Sequence, residues 1–201
     1  MSVMKEKALK EGDDHYEKAE KYLRKPKFSL FWSADHDNAA DSFKAAANCY
    51  QRAGKDIKIL IKYINANIKS AISYEKVKSY YFSAVAYEKA AIQAIKSIKD
   101  IKDYNYDIIQ EWLLKSAEHY DLGETSDKAA LVLATGAKYM GKKRKDAINI
   151  TISLYQASYQ RYIQSEKLRK FSGKAFREGI DYTVKKKQYR QAIIFLEFHI
   201  N

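Results

Sequence analysis

The chain has one proline, seven glycines and one cysteine among its 201 residues. Proline breaks helices and glycine weakens them, so their scarcity favours long helices. The lone cysteine, Cys49, excludes an intramolecular disulfide and fits a reducing compartment. Its apolar, helix-like surroundings predict a buried packing role. No run approaches the roughly 18 apolar residues of a membrane span. The start, MSVMKEKALKEGDDHYEKAEKY, lacks the apolar core of a signal peptide. The expectation is a cytosolic protein.

Catalytic patterns are equally scarce. The four histidines, His15, His36, His119 and His199, stand at no metal-ligand spacing with one another or with Cys49. TGAKYMGKKRK carries glycines and lysines but follows no strand, so it is not read as a phosphate loop. There is no nucleophile elbow. The expectation is a protein that is not an enzyme and needs neither cofactor nor metal.

Positive charge is abundant. The net charge is +12, and Lys142 to Arg190 holds 14 Lys and Arg against 4 Asp and Glu. Such a concentration implies an acidic protein surface, an anionic lipid or a nucleic acid as partner, or else a solvated basic face with no partner.

Apolar and small residues recur at helical spacing along the whole chain. They predict an all-α protein with helices near 3–24, 37–54, 56–73, 76–98, 105–122, 126–141, 143–164, 167–185 and 188–200. A repeat underlies them. Phe43, Ala47, Tyr50 and Ala53 have the same offsets as Tyr80, Ala84, Tyr87 and Ala90, and as Leu113, Ala117, Tyr120 and Gly123. Tyr155, Tyr159, Tyr162 and Ser165 form a looser copy. The anchors at 47, 84, 117 and 159 are 37, 33 and 42 residues apart. Small residues let neighbouring helices approach, and the aromatic fills the remaining gap. Two helices per period of this length indicate a tetratricopeptide-like solenoid. The domain reading is one helical array over 1–201.

One segment resists this pattern. KPKFSLFWSADHD, from Lys25 to Asp37, holds the only proline, Pro26, and then Phe28, Leu30, Phe31 and Trp32. A connection that faces water is normally polar. Either these side chains fold back onto the first helices, or they meet something apolar. Asp35, Asp37 and Asn38 then supply helix-capping groups.

The run YEKAEKYLRKPKFSLFWSADHDNAADSFKAAANCYQRAGK resembles the start of the SNAP family, the soluble adaptors that bring the NSF ATPase to SNARE complexes. The shared features are a first helix with KAEKYL, an apolar loop ending in Phe-x-x-x-Trp, and a second helix of the form DNAADSFKAAANCY. AVAYEKAA, SAEHYDLGETSDKAALVLATGAKY and KDAINITISLYQ follow in the family's order, and the gamma class is the nearest pattern. The resemblance spans nearly all of the chain, most strongly its first 55 residues and the region 112–140, and weakens after about residue 160.

The resemblance implies a right-handed α-solenoid of antiparallel helix pairs that binds SNARE complexes through a basic concave surface. It implies an adaptor without catalytic site or cofactor, which recruits NSF for SNARE disassembly in membrane trafficking. It makes Phe28, Leu30, Phe31 and Trp32 a membrane-attachment loop, with Trp32 expected to be partly buried and Lys25 and Lys27 favouring anionic lipid. The protein is then cytoplasmic and peripherally membrane-associated. Lys89, Lys167, Arg169, Lys174 and Arg177 match SNARE-binding positions, the last four on one later helix. A basic position of the alpha class falls on apolar Leu131, which argues against that class's binding register. The chain stops at LEFHIN, short of the family's length, so truncation is expected and the family's C-terminal NSF-activating residues have no counterpart here.

Two other readings compete. A general tetratricopeptide-like scaffold needs only the repeat and leaves the apolar loop unexplained. A nucleic-acid-binding helical protein would use the interleaved basic and aromatic residues of 142–190. No RNA-recognition or helix-turn-helix pattern accompanies them, and the tyrosines fall at packing offsets, so no nucleic acid is expected as partner.

Overall fold

The computed structural model describes residues 3–24, 33–97, 105–144 and 146–200, with the side chains of 198–200 excepted. Among them stand nine α-helices and a short 3-10 turn, and no strand. The chain divides into two compact units, Met1–Asp103 and Tyr104–Asn201.

The first unit holds α1 (Val3–Leu23), α2 (His36–Ala53), α3 (Ile57–Lys76) and α4 (Tyr80–Ser97). Each helix packs on the next. The contacts fix their directions. Tyr50 Oη donates to Asp13 at 2.8 Å, while Tyr16 meets Phe43 edge-on, so α1 and α2 run antiparallel. Lys62 reaches Asp13 and Lys69 reaches Glu20, so α1 and α3 run in the same direction. Asp35 and Asp56 cap α2 and α3 by accepting from Asn38 N and Lys58 N.

The second unit holds α5 (Tyr106–Leu122), α6 (Ser126–Lys143), α7 (Ile148–Gln164), the 3-10 turn (Arg169–Phe171), α8 (Ser172–Lys185) and α9 (Tyr189–Ile200). Asn105 caps α5 through Ile108 N at 2.8 Å. Here too the helices pack in sequence, and α7 carries both α6 and α8.

The repeat read from the sequence is a core pattern. Phe43, Ala47, Tyr50 and Ala53 are all buried, as are Ala84, Tyr87 and Ala90, Leu113, Ala117 and Tyr120, and Tyr155 and Tyr159. Cys49 is buried as expected. Gly12 shows why small residues are needed: a Cβ there would lie 2.6 Å from the Tyr50 ring. Serines add a second device. Ser70 Oγ donates to Ala40 O at 3.0 Å, Ser83 Oγ to Ala71 O at 2.7 Å and Ser158 Oγ to Ala130 O at 2.7 Å. Each bond joins a helix to its predecessor and satisfies a buried hydroxyl.

The expected boundaries hold within a few residues, with three corrections. α3 runs on to Lys76, and α4 begins at Tyr80 rather than near 76. α7 begins at Ile148 rather than 143, because α6 itself continues to Lys143. The helix expected from 167 begins only at Ser172. There, Ser165 O accepts from Leu168 N and Arg169 N, which tightens the chain into a turn before the helix can start.

The turns between paired helices share one geometry. Lys78, Glu124 and Lys187 have φ of 59°, 59° and 57°. Ser79 N, Thr125 N and Gln188 N each donate five residues back, to Tyr74 O, Tyr120 O and Thr183 O, while the three left-handed residues donate to Glu75 O, Asp121 O and Val184 O. These are Schellman turns. They close α3–α4, α5–α6 and α8–α9 alike.

Candidate functional site

The two units treat their cations differently. In the first, α1 presents carboxylates to the next helices. Asp13 takes Lys62 at 2.6 Å, Glu11 takes Arg52 at 3.3 Å, and Glu20 takes Lys69. Lys69 also lies over the rings of Tyr16 and Phe43. Arg52, Lys62 and Lys69 thus each help to hold one helix of this unit against another.

In the second unit, Arg161 pairs with Asp121 at 3.1 Å. Lys138, Lys170, Lys174 and Arg177 are exposed, and none of them forms an ion pair among the described residues. All four line one open trough of about 480 Å³. α6 and α8 both pack on α7, and the trough runs over the end of α7 between them, with Tyr162 in its lining.

One wall is the face of α6 that carries Leu131, Thr135 and Lys138. The other is the 3-10 turn and α8, with Lys170, Phe171, Lys174 and Arg177. Leu131 is 56% exposed and Phe171 51%. Lys170 Nζ lies 5.2 Å from the Phe171 ring centroid. Asp127 and Glu178 supply the trough's carboxylates. Burial, reinforced by Asp127 and Glu178, pushes the Tyr162 hydroxyl above its ordinary pKa, so it stays neutral. The site is a half-apolar channel with a cationic rim. It is suited to holding a surface, and it offers no nucleophile beside a base.

Of the residues singled out from the sequence, Lys174 and Arg177 stand in this trough. Lys167 and Arg169 were expected on the same helix, but they precede α8. Arg169 belongs to the 3-10 turn, where its guanidinium donates to Ile163 O at 3.3 and 3.4 Å. That bond ties the turn to the end of α7. Lys89 is exposed on α4, in the other unit. Phe28, Leu30, Phe31 and Trp32 lie outside the described residues.

Sequence reasoning did not single out Lys138, Lys170 or Phe171, and treated Leu131 only as a departure from a family pattern. A signal was present: 131, 135 and 138 repeat the spacing of 170, 174 and 177, the spacing of one helical face, although Lys170 itself stands in the 3-10 turn before α8. Among the described residues no group of three or more His, Cys, Asp or Glu could hold a metal ion. No described helix is long and apolar enough to cross a membrane.

No family model matches the chain. Among curated proteins it is similar to the gamma-soluble NSF attachment protein of Dictyostelium discoideum, with 26% identity over 186 residues. The match covers 92% of this chain and 50% of that relative, so the chain spans about half the relative's length. The resemblance carried by KAEKYL, the Phe-x-x-x-Trp loop and DNAADSFKAAANCY thus extends through both helical units: the chain is a distant likeness of the gamma-type soluble NSF attachment proteins.

Proposed function

We propose that the protein is a SNAP-type adaptor that binds SNARE complexes and recruits the NSF ATPase for their disassembly. The observation that carries this reading is the similarity to a soluble NSF attachment protein over 92% of the chain. The exposed cations support it. Lys89, Lys174 and Arg177 are exposed and outside ion pairs among the described residues, so a partner need break no internal ion pair to reach them. On this reading the protein is not an enzyme. It works in the cytoplasm at a membrane surface, which Phe28, Leu30, Phe31 and Trp32 contact.

Exposed charge pairs contribute roughly 0–1 kcal/mol each, so the contact is spread over many residues and no single lysine dominates it. The test is a pull-down of an assembled SNARE bundle across a salt series. Reversing Lys89, Lys174 and Arg177 together to Glu replaces attraction by repulsion at three places and lowers binding by more than about tenfold. Raising the salt weakens wild-type binding in the same direction, because screening shortens below about 8 Å above physiological strength. Circular dichroism controls for folding. Binding of the triple variant at wild-type strength would remove these residues from the contact. Failure of the wild type to bind at any salt would remove the adaptor reading for this chain.

A further inference from the structure

We infer that the trough between α6 and α8 docks about two turns of an acidic amphipathic helix, and that an apolar anchor on that helix seats between Leu131 and Phe171. The inference rests on the adaptor reading for the helical nature of the partner. It adds that the contact is not purely electrostatic at this place.

Three observations lead there. The first is length. Leu131 to Lys138 and Lys170 to Arg177 each span eight residues, seven steps along the chain, so each wall is about 10 Å long, or two helical turns. Walls of that length match the i, i+3, i+4, i+7 stripe of a helix laid in a groove. The second is exposure. Leu131 and Phe171 are both more than half exposed, and Leu131 is so on a helix whose other large aliphatic residues are buried. A single exposed apolar residue is ordinary, but two facing one trough of 480 Å³ make an apolar seat. The third is charge. Lys138, Lys170, Lys174 and Arg177 rim the seat, and against them stand only Asp127 and Glu178. A partner with carboxylates flanking its anchor complements this rim, whereas a basic or purely polar helix does not.

The test uses a fluorescein-labelled, glutamate-rich helical peptide of about 15 residues, near the length at which isolated helices begin to hold. It carries one central leucine, and its twin carries serine there. Anisotropy titrations against the full chain should give about tenfold tighter binding of the leucine peptide, the scale expected for burying most of one leucine side chain. Leu131→Ser and Phe171→Ser should each erase most of that preference. Both residues are exposed, so these variants should keep the wild-type circular dichroism spectrum. Lys174→Glu should weaken both peptides alike and leave the preference intact. Equal binding of the two peptides, no binding of either, or a preference that survives in the Leu131→Ser and Phe171→Ser variants would overturn the inference. A SNARE bundle tested in parallel separates the two claims. A leucine preference without bundle binding keeps the trough and discards the adaptor reading.

Discussion

Gly12 and Tyr50 show how much a single atom decides. Gly12 has an ordinary helical backbone, so alanine would raise helix propensity by up to about 1 kcal/mol. The added methyl would instead meet the Tyr50 ring at 2.6 and 2.8 Å. That ring cannot swing away freely, because its hydroxyl is held by Asp13. Gly12→Ala is therefore expected to destabilise the first unit by about 1–3 kcal/mol net, read from urea unfolding. Tyr155 makes a different residue-scale statement. Burial, with Glu178 and Tyr182 adding to it, pushes its hydroxyl up to about 12. An unfolded tyrosine titrates near 10. A group raised on folding contributes stability that is full below about pH 10 and is lost as the pH climbs through about 12. Tyr155→Phe removes the ionisation, so the second unit should lose up to about 2–3 kcal/mol less across that window. Urea titrations at stepped pH measure the difference, and parallel curves for the two proteins would contradict it.

At the scale of elements, the helices were legible because their signals are local. Asp35, Asp56 and Asn105 cap where the apolar periodicity begins, and the small and aromatic offsets mark the buried faces. The ends were harder to read. A Schellman turn usually announces itself by glycine at its left-handed residue, and here that place is taken by Lys78, Glu124 and Lys187. Without the glycine, the stop after α3 and the start of α4 were misplaced by about three residues. The 3-10 turn escaped for a different reason. Ser165 O tightens the chain by accepting from Leu168 N and Arg169 N, and the Arg169 side chain reaches back to Ile163 O, contacts that no spacing rule anticipates. The left-handed residues carry a prediction. A side chain at positive φ is strained relative to glycine, by roughly 1 kcal/mol. Lys187 is exposed, so Lys187→Gly should remove that strain without loss of packing. Thermal unfolding should show a gain of about 0.5–1 kcal/mol in the second unit, and an unchanged midpoint would mean the turn is not strained.

For the molecule as a whole, composition pointed to a basic, helical, non-catalytic chain, and the excess of Lys and Arg in 142–190 pointed toward the second unit. It could not show which cations are free. Lys62 and Lys69 read like any surface lysines until α1 brings Asp13 and Glu20 against them. Nor could it place Leu131 opposite Phe171, forty residues on, because that needs the packing of α6 and α8 on α7. The membrane reading belongs to this scale. Replacing Phe28, Leu30, Phe31 and Trp32 by Ser should sharply reduce cosedimentation with anionic liposomes while leaving helix content intact, since burying four such side chains contributes several kcal/mol at about 25 cal/mol per Å². Unchanged cosedimentation at equal stability would end the membrane role. A large loss of stability would place those side chains against the fold instead. The serine bonds between successive helices, finally, have a mechanical meaning. Ser70, Ser83 and Ser158 each tie a helix to a fixed carbonyl of its predecessor, so sliding one helix along the next breaks a buried bond before any new one can form. Within the first unit, a load along the helix axes meets the Ser70 and Ser83 pins together, whereas a load across them peels the helices away one by one. That unit should therefore be stiff when sheared and compliant when unzipped, so that the direction of pull, more than its size, decides how it gives way.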